Sequence, residues 1–254
     1  MSNRWQLIDQ IDEQIERTGA EQMAIDNWLL SQHAKGQIAP CLRFYTWRSP
    51  TISLGYHQRQ FPQHWNNLRW KGQPVDLVRR PTGGRAVLHQ GDLTYALITS
   101  GLKGSRRDIY QQLCQFLIQG WRSLGVDLSF GEAGRGYIKN PNCFGTATAA
   151  DLVTNDGYKL IGSAQLYRDG CILQHGSMRI SPDVELFAKV FDEKLSPSDL
   201  PQVTQDSKSI AIALIEAAKD CFEVEFERRS LSSVETLEAL TAASIKLEKP
   251  SAKN

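Results

Sequence analysis

The chain of 254 residues lacks the features that would tie it to a membrane or to nucleic acid. Its 29 basic and 28 acidic residues leave a formal net charge of +1, so the chain as a whole does not attract polyanions. No apolar run approaches the roughly 18 residues of a transmembrane helix. The opening MSNRWQLIDQIDEQ carries acids and has no apolar signal-peptide core. We therefore expect a cytoplasmic protein that binds neither nucleic acid nor membrane.

Cysteine is scarce, and its spacing excludes further classes. Five cysteines, at positions 41, 114, 143, 171 and 221, form no C-x-x-C pair, which argues against a disulfide framework and against a zinc ribbon. Four of them lie in apolar segments, where a free cysteine usually fills the core. Cys143 differs because its neighbours in KNPNCFGTATAA are small or polar turn residues. It is the candidate nucleophile.

The common nucleotide, zinc and serine-hydrolase motifs are missing as well. The sequence contains no G-x-x-x-x-G-K-[ST], no H-E-x-x-H and no G-x-S-x-G, and its five histidines do not cluster at metal-ligand spacing. The glycines of GEAGRG stand in the wrong order for a dinucleotide fingerprint. We expect no metal and no cofactor.

The pattern of apolar and turn residues predicts about eight strands, mostly in hairpins, with several helices. The clearest helix follows a capping box at Ser105 and Asp108 and ends near Gly125. Turns at residues 155–157 and 168–170 join three β-rich runs, and the pattern becomes helical after Ser181. This order predicts an α+β fold on a mixed, largely antiparallel sheet. We expect a single domain, 1–254, with a helical C-terminal segment at about 204–247.

Small residues interrupt the β pattern in three places. RRPTGGRAVLH runs off a strand into a glycine loop, where backbone N–H groups can approach a ligand beside several arginines. YKLIGSAQ places a lysine ahead of three residues that are unusually small for a strand interior. LQHGS sets a histidine beside a glycine.

Each break by itself has an ordinary explanation: a glycine hairpin, a solvated strand end or a structural histidine. If the predicted hairpins pair, however, the breaks lie side by side and form a groove. The loop of Cys143 leads directly into the same hairpin.

These segments resemble the lipoate and octanoate branch of the biotin and lipoate protein ligase (BPL/LPL) superfamily. NCFGTATAADLV ahead of KLIGSAQ is similar to LipM-type octanoyltransferases in particular. The resemblance extends from about Trp5 to Phe226, with LRFYTW and ISLGYHQ also in place. It implies a core related to the class II synthetases, a twisted mixed sheet flanked by helices.

The resemblance also implies an octanoyltransferase of lipoate biosynthesis that works without ATP. Octanoate would pass from octanoyl-acyl carrier protein to a cysteine thioester, and then to a lysine of a lipoyl domain such as that of glycine-cleavage H protein. The catalytic positions correspond to Cys143 and Lys159. The groove and the resemblance together indicate these substrate-binding residues: Arg79, Arg80, Thr82, Gly83, Gly84, Arg85, His89, Gly162, Ser163, Ala164, Gln165, His175 and Gly176.

Other functions stay open at this point. ATP-dependent lipoate ligases usually have a third glycine where this chain has Arg85, and they do not need the loop cysteine. A lipoyl-domain amidotransferase would share the cysteine chemistry. A non-catalytic acyl-sensing module would use the same groove without needing Cys143 and Lys159 together. The residues after Cys143 are smaller than in related proteins, which leaves the acyl donor open, and Cys171 ranks as a distant second nucleophile.

Overall fold

The computed structural model describes residues 3–131, 151–193 and 203–247. In these ranges the chain forms thirteen strands and five α-helices. The strands are β1 (Asn3–Asp9), β2 (Cys41–Tyr45), β3 (Thr51–Leu54), β4 (Arg69–Trp70), β5 (Gln73–Pro74), β6 (Asp76–Arg79), β7 (Val87–His89), β8 (Asp92–Ser100), β9 (Leu128–Phe130), β10 (Asp151–Thr154), β11 (Lys159–Arg168), β12 (Cys171–Arg179) and β13 (Val224–Arg228). The helices are α1 (Gly19–Ala34), α2 (Arg106–Ser123), α3 (Val184–Phe191), α4 (Ser207–Phe222) and α5 (Ser233–Leu247), with a 3-10 turn over Gln63–Asn67.

Eight strands form the main sheet, in the order β13-β1-β2-β8-β12-β11-β10-β9. Strand β1 runs parallel to both β13 and β2, and every other pairing in this sheet is antiparallel. The predicted α+β fold with a mixed, largely antiparallel sheet is therefore confirmed. A second sheet, β6-β3-β7, carries the residues before and after the glycine loop.

Helices cover both faces of the main sheet, because its strands alternate apolar residues toward two separate cores. Helices α2 and α4 share one core with Leu93, Tyr95 and Leu97 of β8. Helices α1 and α5 share the other with Ala96 and Ile98 of the same strand. This period of two places successive residues of a strand on opposite faces. Among the described residues, no helix is long and apolar enough to span a bilayer.

The C-terminal segment contains a strand that the sequence analysis did not predict. Helix α4 ends at Phe222 and is capped by Glu223, which adopts the left-handed conformation with φ of 52°. Strand β13 then pairs with β1 at the sheet edge, where the Phe226 ring packs edge-on against Trp5 at 6.5 Å. The alternating apolar residues Val224 and Phe226 are the sequence pattern that indicates this strand. The helical segments on either side obscured the pattern.

Candidate active site

Strand register builds the floor of a cavity on the α1 face of the main sheet. The pairs Gly162–Ser177, Ser163–Gly176 and Ala164–His175 lie directly across β11 and β12. The breaks of β11 and β12 therefore lie side by side as predicted. The third break does not, because the glycine loop joins β6 to β7, and these strands pair with β3 in the second sheet. Asp151 pairs with Gly162 from the other side. Short side chains in adjacent strands leave a depression where larger residues would have filled the space.

Gly176 has no room for a side chain. A Cβ at this position would lie 2.7 Å from Tyr95 Cε1 and 2.9 Å from the Gly162 carbonyl oxygen. The hydroxyls of Ser163 and Tyr95 hydrogen-bond at 2.8 Å on the same side. Gly176 therefore allows β11 and β12 to pack closely against Tyr95, whose side chain lies on the face of the sheet opposite the cavity.

The cavity that forms above this floor encloses about 80 Å³. Its walls combine apolar side chains, glycine backbone and buried ionisable groups. The described residues that line it are Met23, Tyr45, Trp47, Ser53, Arg80, Gly83, Gly84, Val87, His89, Thr94, Asp151, Lys159, Gly162, Ser163, Ala164, His175, Gly176 and Ser177. A wider cavity of about 760 Å³ shares Trp47 and His89 with it, but the wider one lacks both Lys159 and the small-residue floor. The smaller cavity is therefore the candidate active site.

Arg80 holds the glycine loop from inside the protein. Its Nη2 donates to the carbonyls of Gly83 at 2.8 Å and Arg85 at 2.6 Å, and its Nη1 donates to the carbonyl of Ser53 at 2.8 Å. Gly84 has a φ of +97°, a conformation that favours glycine, and its carbonyl lies so close to Gly55 that a Cβ there would collide. Arg80 lines the cavity, yet these hydrogen bonds commit its guanidinium to shaping the loop.

A buried relay connects the loop to the protein interior. His175 contacts the Asp26 carboxylate through Nδ1 at 2.9 Å and the Thr82 hydroxyl through Nε2 at 2.6 Å. Arg43 and Tyr45 also bind Asp26, at 2.5 and 2.9 Å. Burial alone would raise the pKa of the Asp26 carboxyl, but Arg43, His175 and Tyr45 outweigh it and hold the pKa below its usual value.

His89 belongs to a second relay of the same kind. Its Nδ1 lies 2.9 Å from Asp92, its Nε2 lies 2.8 Å from the Ser53 hydroxyl, and its ring stacks on Trp47 at 3.9 Å. Burial lowers the pKa of His89, and Asp92 only partly offsets this effect. The neutral ring thus donates to Asp92 and accepts the hydroxyl of Ser53, which in turn receives Arg80 Nη1 at 3.2 Å. Both relays terminate at groups that hold the glycine loop.

Lys159 is a buried ammonium with a carboxylate partner. Its Nζ lies 2.9 Å from Asp151 Oδ1, and only 5% of each side chain is exposed. Both residues line the cavity. An unpaired charge in such a position would carry a desolvation cost of several kcal/mol, so the pairing explains how Lys159 stays buried and charged.

Several of the predicted binding residues lie outside the cavity lining. Arg79, which we placed in the groove, is exposed, and its guanidinium donates to the carbonyls of Gly55 and Gln58, each at 2.7 Å. Thr82 is buried against His175, and Arg85 contributes its carbonyl to Arg80. Gln165 lies farther along β11 and donates to Gln174 at 2.8 Å. These four residues lie outside the lining because of strand alternation and the tight fold of the loop. A linear motif reveals neither of these features.

Cys143 lies outside the described residues. The four remaining cysteines behave as expected for core residues, with Cys41, Cys114 and Cys171 buried and Cys221 half-buried. Burial raises the pKa of the Cys41 and Cys114 thiols to about 12 and also raises that of Cys171. These thiols hold little thiolate at neutral pH, which weakens Cys171 as a rival nucleophile.

Sequence reasoning missed the acidic partners of the site. Asp26, Asp92 and Asp151 each bind a cationic or imidazole side chain at the cavity or directly behind it. A signal was present for Asp26 and Arg43, because charged residues in the apolar stretches of α1 and β2 require buried partners. Asp151 carried no such signal, since it stands at the beginning of a strand.

The chain matches the profile of one protein family over most of its length. That family is described as the lipoyl protein ligase A/B catalytic domain, and the match covers residues 18–226. Two relatives are octanoyltransferases named LipM. The one from Halalkalibacterium halodurans is 38% identical over 206 residues, 77% of this chain and 71% of the relative. The one from Bacillus subtilis is 35% identical over 225 residues, 84% of this chain and 78% of the relative.

Solved structures share the fold. A lipoate-protein ligase A bound with ATP superposes with a TM-score of 0.75 at 21% identity, over 97% of this chain and 95% of the other. A chain from the archaeal lipoylation system of Thermoplasma acidophilum, a bipartite lipoate protein ligase and its E2 lipoyl domain, gives 0.72 at 20% identity, over 97% and 93%. At these identities the likeness establishes the fold alone. The family profile and the curated relatives go further: the chain belongs to the lipoyl protein ligase A/B catalytic domain family and, within it, to the LipM octanoyltransferases, a group of acyltransferases.

Proposed function

We propose that this acyltransferase moves octanoate from acyl carrier protein to a lysine of a lipoyl domain, through a thioester on Cys143 assisted by Lys159. One observation carries the proposal. Lys159 is a buried cationic group, paired with a carboxylate, at a cavity whose floor consists of glycine, serine and alanine. A solvated strand-end lysine would have no such environment.

The cavity suits the acyl chain more than a polar substrate. Met23, Val87 and Ala164 supply apolar wall, and Gly162 keeps the floor open. Burying one CH₂ group contributes about 0.8 kcal/mol, so even part of an octanoyl chain placed here gains several kcal/mol of binding.

The first transfer is a thioester exchange. The Cys143 thiolate attacks the carbonyl of the donor thioester, a bond forms from Sγ to the acyl carbon, and the bond from that carbon to the donor sulfur breaks. Lys159 gives its proton to the departing thiolate, so the donor leaves as a thiol. A nearby ammonium also favours the thiolate form of a cysteine, whose free pKa is about 8.5.

The second transfer is an aminolysis. The neutral amine of the acceptor lysine attacks the Cys143 thioester, the C–N bond forms and the bond to Sγ breaks. Lys159, neutral after the first step, takes the proton that the amine loses. Thiolate and ammonium are both regenerated, so atoms and charge balance over the cycle without ATP. Hydrogen bonding from Lys159 to the oxyanion in either step is typically worth about 3 kcal/mol.

The partners are macromolecular on this proposal. Octanoyl-acyl carrier protein is the donor, and a lipoyl-domain protein such as glycine-cleavage H protein is the acceptor. Arginines near the glycine loop and at the start of α2 provide local positive charge that can attract an acidic carrier protein. The near-zero net charge of the whole chain would provide no such attraction. Arg106 and Arg107 are exposed at the start of α2.

Intact-mass spectrometry tests the route. After incubation with octanoyl-acyl carrier protein and no ATP, we expect one octanoyl adduct on the wild-type protein and none on Cys143→Ser. In Lys159→Gln, which retains a polar side chain of similar length, adduct formation and transfer to H protein should both fall by about a hundredfold or more. Circular dichroism verifies that the variant is folded.

Two outcomes would reject the proposal. An adduct that persists in Cys143→Ser assigns the nucleophile elsewhere. Activity that requires free octanoate and ATP, and survives Cys143→Ala, makes the chain an acid-activating ligase. Replacement of the carrier protein by an octanoylated lipoyl domain distinguishes the amidotransferase from the carrier-dependent enzyme, since only the former then labels Cys143.

A further inference from the structure

We propose that Asp151 is a positioning residue for acyl transfer, one that keeps Lys159 protonated and aims its ammonium into the cavity. This inference rests on the proposed function of Lys159. Asp151 itself need not contact the substrate.

The hairpin of β10 and β11 brings the two residues together through an irregularity in the sheet. Leu152 pairs with Ile161, but Val153 pairs with Lys159, so Leu160 is an extra residue on β11. This is the pattern of a β-bulge, which commonly redirects a side chain beside an active site.

The bulge decides which face Lys159 occupies. Leu160 and Ile161 both pack into the core shared with α2 and α4, although regular alternation would place successive residues on opposite faces. Because the extra residue absorbs one step of the alternation, Lys159 points to the cavity face, as Gly162 does. Without the bulge, Lys159 would face the apolar core.

Asp151 lies on the same cavity face, one strand away. It pairs directly with Gly162, which has no side chain to fill the space between the carboxylate and the cavity. The carboxylate reaches Lys159 Nζ at 2.9 Å, and both side chains are about 95% buried. A carboxylate at this distance stabilises the ammonium form of lysine, whereas burial alone favours the neutral form.

The ion pair therefore sets the protonation state in which each cycle begins. With Asp151 in place, Lys159 begins as an ammonium that can support the Cys143 thiolate and protonate the donor thiol. The same carboxylate raises the basicity of Lys159 for the aminolysis step. Asparagine in place of Asp151 would keep the shape and remove the negative charge that favours the ammonium form of Lys159.

Asp151→Asn isolates this effect, because asparagine keeps an oxygen that can accept from Nζ. Asp156→Asn is the matched control: it makes the same substitution in the turn of the same hairpin, where the exposed Asp156 bonds Thr154 and not Lys159. Asp151→Glu restores the charge and should recover most of the lost rate.

The first measurement follows Lys159 itself. In protein labelled with ¹³C-lysine, the Cε resonance of Lys159, assigned by its loss in Lys159→Arg, is titrated against pH. We expect the midpoint in Asp151→Asn to lie at least about one pH unit below that of the wild type, and the Asp156→Asn midpoint to match the wild type. Midpoints that coincide in Asp151→Asn and wild type would overturn the proposal.

The second measurement is the pH profile of Cys143 adduct formation with octanoyl-acyl carrier protein. In Asp151→Asn the alkaline limb should shift to lower pH, and a shift of about one pH unit lowers the rate about tenfold at pH values on that limb, with convergence on the wild-type rate toward acid pH. A merely structural defect lowers the rate equally at every pH, and that result would also overturn the proposal. A wild-type protein that forms no Cys143 adduct rejects the thioester route instead, while the lysine titration still reports on the ion pair.

Discussion

At the scale of single residues, the two buried histidines explain how the glycine loop is held. Thr82 binds His175, and Ser53 binds both His89 and Arg80. Behind each imidazole lies a carboxylate, so each ring has a fixed orientation. The loop is consequently supported by side chains that are far apart in the sequence.

Two glycines of the cavity differ in the space that is available for a side chain. Gly176→Ala should destabilise the protein by about 1–3 kcal/mol, because the added Cβ meets Tyr95 and the backbone of Gly162. Gly83→Ala should leave stability within about 0.5 kcal/mol, since nothing lies within 4 Å of its Cβ position. Urea denaturation measures both, and equal losses in the two variants would contradict this assignment.

At the scale of secondary structure elements, helix α2 shows how local signals translate directly into structure. The Ser105 side chain accepts from the Asp108 N–H, while the Asp108 carboxylate accepts from the Ser105 N–H at 3.0 Å. Gly120, on the inner face of the helix, lets Leu214 of α4 approach to 2.7 Å from where a Cβ would stand. The cap could be identified from the sequence, whereas the glycine acquires meaning only from its partner helix.

The cap provides a prediction at this scale. Ser105→Ala removes a hydrogen-bond acceptor for the first turn of α2 and should lower the free energy of unfolding by about 1 kcal/mol. Gln112→Ala, at an exposed position of the same helix, should have no measurable cost because alanine is an excellent helix former. If chemical denaturation finds Gln112→Ala less stable than Ser105→Ala, the capping box does not contribute to the stability of the protein.

At the scale of the whole molecule, stability should depend on pH through His89. Its folded-state pKa lies below the ordinary value of 6.5, so below that pH the unfolded chain binds more protons than the folded one. The contribution of His89 is present in full above about pH 6.5 and is lost as the pH falls toward the lower folded pKa. The slope is at most about 1.4 kcal/mol per pH unit for one proton.

Thermal and urea unfolding between pH 7.5 and 5 measure this dependence. His89→Gln should be less stable at neutral pH but should show a shallower decline on acidification, because the titrating group is gone. An identical slope in the variant would assign the acid sensitivity to other groups. Whether the whole chain unfolds as a single domain stays a prediction, which coincident transitions by fluorescence and circular dichroism would support.

The sequence by itself determined the local features. Alternation, turn residues and capping predicted the helices α1 and α2, the hairpin β11–β12 and the α+β class. The motifs indicated Lys159, the glycine loop and His175, because these depend on residue type and on neighbours in the chain. The family likewise followed from motifs in one order. Edge strand β13 was missed because its pairing partner, β1, lies more than two hundred residues away.

Only the tertiary structure decided which groups meet. Asp151 reaches Lys159 through a bulge that changes the face of one lysine, and Asp26 reaches His175 from a helix on top of the sheet. Arg79 carries the right charge for the groove, yet it points to the carbonyls of a neighbouring loop. In a low-dielectric interior, the interaction between two buried charges depends on the distance between them. Strand register and packing set that distance, and spacing along the sequence does not.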